Sequence, residues 1–251
     1  MVDVKFGIEL ELAFNSRIHS FDVGGYHANN SGQEIPNWAI TSDSSLNTDK
    51  CPSSWSSSAK NAEIISDVSY GVSEMMERLE QFIDYMSVNG KYELNDVIHF
   101  NKSCGAHIHF STWKSAENNM CFMTRYRLLR SRVFDRVRTE LPHIYDSYKS
   151  NYFRSYSKEQ AGVFIDKRER GEFNYTALQK GVEWRAFHLL GVKTWDDLRK
   201  MIRIGVEEID RMLDEYYSDN LREYIEDILN DEDIRKEVEN IKSLFIGEGM
   251  N

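Results

Sequence analysis

The chain has 251 residues, of which 41% are hydrophobic and 29% are charged; its formal net charge is −10 and its pI is about 5.3. This length and composition predict a globular protein and exclude the fibrous and disordered classes. The negative charge disfavours bulk binding of nucleic acid, which is itself a polyanion. The three cysteines form no C-x-x-C pair, and neither an apolar leader nor a long apolar run is present, so we expect a cytoplasmic protein that does not span a membrane.

The first element is a strand. Apolar and polar residues alternate over residues 2–14, which predicts a half-buried strand with Glu9 and Glu11 on its polar side. Residues 15–35 are rich in Gly, Asn, Ser and His, and we expect a long loop of the kind that often covers a functional site.

Alternation for strands and helical spacing of apolar residues for helices predict the rest of the chain. Further strands are expected at 38–41, 62–66, 104–112 and 181–188. Helices are expected over 72–88 with Gly90 as C-cap, in a segment that ends before Pro142, from Thr194 in a capping box with Asp197, and over 219–245. No repeat or linker divides the chain. We therefore predict one domain over residues 1–251, with a sheet core over 1–192 and C-terminal helices over 194–247.

Three of the predicted strands carry two ionisable residues at positions i and i+2, which places both side chains on one face of the strand. The pairs are Glu9 with Glu11, His107 with His109, and Glu183 with Arg185. The alternate residues are apolar and would pack on helices, so the polar pairs are predicted to share the opposite face of one sheet. Glu63 can join them from the strand at 62–66.

This cluster predicts a divalent cation, because carboxylates held close together raise one another's pKa and destabilise the fold. Carboxylate oxygens suit Mg²⁺ or Mn²⁺, imidazole adds affinity for Mn²⁺, and the absence of cysteine from the set argues against structural zinc. Carboxylate-rich magnesium sites commonly serve nucleotide phosphates, and Arg185 would then contact a phosphoryl group in transfer.

Other interpretations stay open. The Glu9–Glu11 pair alone could be the solvated face of an edge strand. The arginine-rich segment 125–138 is interpreted as a solvated helix face, with the alternative that one or two of its arginines reach an anionic substrate. Two further functional classes fit the same residues: a divalent-metal-dependent hydrolase or nuclease, which needs only metal and water, and a non-catalytic binding module.

Five short motifs follow one another along the chain. They are Phe6-Gly7-Ile8-Glu9-Leu10-Glu11, Asp43-Ser44-Ser45-Leu46, Glu63-Ile64-Ile65-Ser66, Cys104-Gly105-Ala106-His107-Ile108-His109 and Glu183-Trp184-Arg185. In this order and spacing they resemble the small amidoligases of the glutamine-synthetase-like carboxylate–amine ligase superfamily. The resemblance covers residues 6–190, and the helical C-terminal part carries no motif.

The resemblance implies an α+β fold, in which a curved antiparallel sheet carries helices on its outer face, as in the catalytic domain of glutamine synthetase. It also implies a reaction. ATP phosphorylates a substrate carboxylate, and an amine then attacks the acyl phosphate to form an amide. The implied partners are a small-molecule or peptide carboxylate and an amine.

The resemblance assigns roles by position. The residues implied to hold Mg²⁺ or Mn²⁺ against the ATP phosphates are Glu9, Glu11, Glu63, His107 and Glu183. Arg185 is implied to stabilise the γ-phosphoryl group in transfer, and His109 to lie near the nucleotide. Asp43 and Ser45 are implied to contact the amine or the acyl phosphate. A basic loop with Arg168 and Arg170 is predicted to close on the ATP phosphates.

Overall fold

The computed structural model describes most of the predicted sheet core and the helix that follows it. The described residues are 4–21, 23, 35–44, 46–48, 51–101, 104–112, 115–145, 173–177, 181–189 and 191–218. Their side chains are described except at 56, 115–124, 126, 127, 173–177, 181 and 185–188.

The described residues form one antiparallel sheet of eight strands. The strands are β1 Lys5–Asn15, β2 Trp38–Thr41, β3 Ala59–Ser66, β4 Ser69–Tyr70, β5 Ile98–His99, β6 Gly105–Ser111, β7 Phe173–Ala177 and β8 Gly181–His188. Their order is β2-β3-β1-β6-β8-β7, and the two short strands β4 and β5 also pair with β1. The longest strand, β1, therefore lies between β3 and β6 and joins the two halves of the sheet.

The described helices are α1 Gly71–Met86, α2 Leu94–Val97, α3 Ser115–Glu140 and α4 Trp195–Tyr217. None of them is long and apolar enough to cross a membrane. Helix α1 ends earlier than predicted, with Ser87 rather than Gly90 as its C-cap. The chain leaves α1 through three residues with positive φ, at Val88, Asn89 and Gly90, and glycine alone adopts this conformation without strain.

The alternation in β1 separates an apolar face from a polar face. On the apolar face Val4, Phe6, Ile8, Leu10, Leu12 and Phe14 are at most 2% exposed. Three helices cover this face: α1 contacts β1, α3 contacts β8, and α4 contacts β6. The opposite face, which carries Glu9 and Glu11, is called the polar face below. The predicted α+β architecture with an antiparallel sheet and helices is confirmed.

The arginines of α3 are mainly held by α4. Arg136 donates to Glu207 at 2.8 Å and to Glu208 at 3.1 Å, and Arg132 donates to Glu215 at 2.9 Å. The prediction of a solvated helix face is therefore wrong for these arginines, because one face of α3 packs against the glutamates of α4. Arg138, whose side chain is 62% exposed, does lie in solvent.

The capping box at the start of α4 is confirmed, and it permits a test of how firmly this helix is anchored. The Thr194 hydroxyl accepts a hydrogen bond from the Asp197 backbone amide at 3.0 Å, and the Asp197 carboxylate accepts from the Thr194 amide at 3.1 Å. We expect Thr194→Ala to lower the free energy of unfolding by about 1 kcal/mol, because it leaves one amide of the first turn without its partner. Denaturant unfolding measures this. Thr194→Ser keeps the hydroxyl and should unfold within about 0.5 kcal/mol of the parent, since serine caps as well as threonine.

Candidate functional site

The register of the sheet brings the polar pairs together in the middle of the polar face. Glu9 on β1 lies directly opposite His107 on β6, and His109 lies opposite Glu183 on β8. On the other side of β1, Glu11 lies opposite Glu63 on β3. Residues directly opposite one another in an antiparallel pair point to the same face, so the four strands β3, β1, β6 and β8 present one continuous row of ionisable side chains.

His107 is the centre of the closest group. Its Nδ1 lies 2.6 Å from Oε1 of Glu9 and 3.3 Å from Oε1 of Glu183, and its Nε2 lies 3.8 Å from Oε2 of Glu11. His109 approaches the same glutamate from the next position, with its Nε2 3.3 Å from Oε2 of Glu9. One imidazole thus contacts three carboxylates, and Glu9 contacts both histidines.

These groups are withdrawn from water to different degrees. His107 and Glu183 are each 4% exposed, whereas the His109 side chain is 39% exposed. Glu11 and Glu63 are also buried, and Oε2 of Glu63 accepts a long hydrogen bond of 3.5 Å from the hydroxyl of Thr41 on β2. Buried carboxylates in this number require compensating charge or protonation.

The two histidines determine the ionisation of Glu9. Burial would raise the pKa of this carboxyl, but the hydrogen bonds and charges of His107 and His109 outweigh that effect and hold the pKa well below its ordinary value. Glu9 is therefore ionised throughout the neutral range.

The pKa of Glu63 is shifted in the opposite direction. Burial, together with the charges of Glu9, Asp43 and Glu11 and a hydrogen bond with Glu9, raises the pKa of Glu63 to about 8. Glu63 thus favours its protonated form near neutral pH, because burial and the neighbouring carboxylates both disfavour its charge.

The donor set fits a divalent cation on two counts. One donor atom from each of Glu9, His107 and Glu183 lies within 4.8 Å of the other two. Donor atoms this close can reach one Mg²⁺ or Mn²⁺ ion, whose binding would replace the hydrogen bond between His107 and Glu9. The second count is that burial and the charges of Glu9, Asp43 and Glu11 raise the pKa of Glu63, and a cation would offset those charges.

Comparison with known proteins identifies the family. A sequence model of a protein family, described as "Putative amidoligase enzyme", matches residues 3–170. The chain belongs to this amidoligase family. The matched range contains four of the five motifs recognised in the sequence, and it ends before Glu183-Trp184-Arg185. No curated protein matches the chain.

The structure brings most of the residues predicted for an amidoligase site into one group. Glu9, Glu11, Glu63, His107 and Glu183 lie together, His109 borders them, and Asp43 is close enough to Glu63 for its charge to raise the pKa of that carboxyl. Arg185 lies on β8 two residues after Glu183, but its side chain lies outside the described part. Ser45, Arg168 and Arg170 also lie outside the described residues.

Thr41 is the site residue that the sequence did not reveal. It lies opposite Glu63 and donates to its carboxylate. The strand that carries it has only four residues, so its alternation is too short to assign a face. The face to which Thr41 points can be assigned only when the strand that pairs with β2 is known.

The opposite pKa shifts of Glu63 and Glu9 predict how a cation held at this site would stabilise this amidoligase-family chain at different pH. The pKa of Glu63 is about 8 in the folded chain and 4.5 ordinarily. Without metal, the stability that protonated Glu63 contributes is therefore lost as the pH rises from about 4.5 to about 8. Glu9, whose pKa is lowered, contributes stability that is present in the neutral range and is lost only in acid. A Mg²⁺ ion held at this site would bind the ionised form of Glu63. We therefore expect Mg²⁺ to raise Tm by several degrees more at about pH 8.5 than at about pH 6.

Scanning calorimetry across this pH range, with and without Mg²⁺, measures the difference. Glu63→Gln cannot ionise, so its Tm without metal should vary less with pH than that of the parent. An equal metal-induced shift of the parent Tm at both pH values would show that Glu63 takes no part in binding the cation.

Proposed function

We propose that the chain is an ATP-dependent carboxylate–amine ligase that uses Mg²⁺ or Mn²⁺. The observation that carries the proposal is the close group of Glu9, His107 and Glu183 on the polar face of a sheet in a chain of the amidoligase family. Family membership supports a ligase with a carboxylate and an amine as substrates. The carboxylate-rich donor set supports a divalent ion of the kind that accompanies nucleotide phosphates. The fold we propose for it is that of the glutamine-synthetase catalytic domain.

The residues proposed to hold the metal fall into two neighbouring sets. Glu9, His107 and Glu183 form one, and Glu11 and Glu63 lie beside it across β1. A bound divalent ion supplies positive charge to the terminal phosphates of the nucleotide. The protein contributes by fixing the carboxylates before the ligands arrive, because the strand pairing holds all five residues on one rigid surface.

The reaction proposed for this site proceeds in two substitutions. A substrate carboxylate oxygen bonds to the γ-phosphorus of ATP, and the bond to the β,γ-bridging oxygen breaks to release ADP. The amine nitrogen then bonds to the acyl carbon, phosphate leaves, and the nitrogen loses a proton. No protein nucleophile is needed, so the chain acts by positioning and by compensating charge.

Other residues are assigned supporting roles. Arg185 is proposed to stabilise the phosphoryl group in transfer, because a guanidinium matches the geometry of phosphoryl oxygens. Asp43, next to Glu63 at the edge of the carboxylate group, and Ser45 are proposed to contact the amine or the acyl phosphate. His109 is proposed to contact the nucleotide, since it is the more exposed of the two histidines. Arg168 and Arg170 are proposed to close on the phosphates.

Titration calorimetry of ATP with and without Mg²⁺ or Mn²⁺ tests the proposal. We expect binding that depends on the metal, followed by ADP release when mixtures of amines and carboxylates are screened. Metal binding by the folded chain without any nucleotide binding would reject the ligase. That result would instead favour the metal-dependent hydrolase or nuclease, which needs only metal and water.

A further inference from the structure

The polar face is open at one end of β1 and closed at the other. From the start of β1 onward, Lys5 is exposed, Gly7 and Glu9 are partly exposed, Glu11 is 8% exposed and Ala13 is fully buried. The cluster of carboxylates lies in the middle of this gradient. Along β1, a ligand longer than a phosphate group therefore has room toward Lys5, since the direction of Ala13 is filled by protein.

The closed end is covered by the segment that comprises residues 46–48 and 51–58. Trp55 is 3% exposed and lies edge-on to His99, with ring centroids 6.4 Å apart, and His99 is directly opposite Ala13. The Ser58 hydroxyl donates to Asn15 at 3.1 Å, and Asn61 donates to the Leu46 carbonyl at 2.7 Å. These hydrogen bonds tie the segment to β1 and β3, so this end of the polar face is part of the packed interior.

The open end offers an aromatic ring and a positive charge. Tyr70 lies directly opposite Lys5, which places its side chain on the polar face, and it is 63% exposed. The Lys5 ammonium lies 5.5 Å from the centre of the Tyr70 ring. Among the described side chains of β1, β3 and β6 that point to this face, Lys5 is the only lysine or arginine. Ser111 lies opposite Lys5 on β6 and is a further polar residue at this end of the polar face.

The distance between Lys5 and the carboxylate cluster is similar to the distance between the base and the terminal phosphates of a nucleotide. Lys5 and Glu9 are four residues apart on one strand, which corresponds to about 13 Å. Gly7 lies between them and has no side chain, and the Cβ of any residue placed there would lie 3.7 Å from the Cβ of His109. A chain of phosphates and a ribose can therefore pass over Gly7 in close contact with the backbone, beside His109.

We propose that Tyr70 and Lys5 form the base-binding end of the site, where the purine ring of ATP stacks on Tyr70 while its phosphates lie at the Glu9–His107–Glu183 group. This inference rests on the proposed function, because it takes the nucleotide from that proposal. Every nucleobase has a π-face, so a single exposed tyrosine suffices for stacking. Lys5 lies over the same ring and adds positive charge at the end of a face that otherwise carries carboxylates.

Binding measurements with two probes test the inference without relying on turnover. The probes are Mg²⁺–ATP and Mg²⁺–tripolyphosphate, which has the phosphates but no base. We expect Tyr70→Ala to weaken Mg²⁺–ATP binding roughly 5- to 100-fold, the range expected for loss of one base–aromatic contact, and to leave tripolyphosphate binding unchanged. Tyr70→Phe keeps the ring and should bind ATP like the parent. Both variants should fold, because the Tyr70 side chain is exposed and makes no capping hydrogen bond to α1.

Leu128→Ala on α3 is the matched control, because Leu128 is another large exposed apolar side chain, at 42%, and should affect neither probe. If the parent binds both probes and Tyr70→Ala binds ATP as tightly as the parent, the base-binding end is wrong and the proposed function stands. Equal weakening of both probes by Tyr70→Ala also rejects the stacking role. If the parent binds neither probe, the proposed function and the inference both fail.

Discussion

Glu9→Gln is expected to reduce metal-dependent turnover roughly 10³-fold. Glu9 contacts both histidines, at 2.6 Å to His107 and 3.3 Å to His109, and these contacts keep its carboxylate ionised. Glutamine has the same shape but carries no charge. In addition, its NH₂ group cannot bind a cation in place of one of the oxygens. Metal affinity should therefore fall together with the rate.

The measurement is ADP release at saturating ATP, together with calorimetric titration of Mg²⁺ or Mn²⁺ into the variant. Glu140→Gln on α3 is a matched control, because Glu140 pairs with Arg136 at 2.8 Å on the helix-covered side of the protein. It should keep both turnover and metal affinity. Full turnover in a folded Glu9→Gln variant would show that Glu9 is not part of the metal site. If Glu9→Gln melts below the assay temperature, Glu183→Gln is measured in its place, with the same expected result.

The sequence predicted which residues share a face, because the alternation in β1, β6 and β8 is long and regular. The strand at 181–188 has the predicted bounds, and the predictions at 2–14 and 104–112 differ from the structure by a few residues at most. Periodicity of two is a local property, so each strand carries this information by itself. The prediction of one ionisable cluster followed from that property together with the inference that these strands share one sheet.

The sequence did not predict which members of the cluster touch. That depends on the neighbours of each strand and on register, and a shift by one residue would turn a strand's side chains to the other face. Because β6 lies between β1 and β8, His107 meets both Glu9 and Glu183, whereas Glu63 lies across β1 from them. The division into a histidine-bound glutamate and a protonated glutamate is a consequence of this strand order.

The elements missed in the sequence are short or depend on distant partners. Strands β4 and β5 have two residues each, and both exist only because β1 offers free pairing positions beside β3 and β6. The role of the α3 arginines was missed for a similar reason. A charged helix face appears solvated in the sequence until a second helix with complementary glutamates is known to pack against it.

Arg185→Ala is expected to lower kcat about 10²–10³-fold while metal affinity changes less than about threefold. The expectation follows from the position of Arg185 on β8, two residues beyond Glu183, and from its proposed role on the phosphoryl group in transfer. A group that acts only on charge developing in the transition state affects the rate and leaves the binding of the ground-state ligands nearly unchanged. Steady-state ADP release gives kcat, and titration of the metal gives the affinity.

Two further variants separate the phosphoryl role from a structural one. Arg185→Lys keeps the charge but loses the planar fork of donors, so it should recover only part of the lost rate. Arg138→Ala on α3 removes an arginine whose side chain is 62% exposed and pairs with Asp135, and it should leave the rate unchanged. If Arg185→Ala weakened metal binding as much as it slowed turnover, Arg185 would serve to hold the carboxylates in place, and the charge for phosphoryl transfer would have to come from another cation.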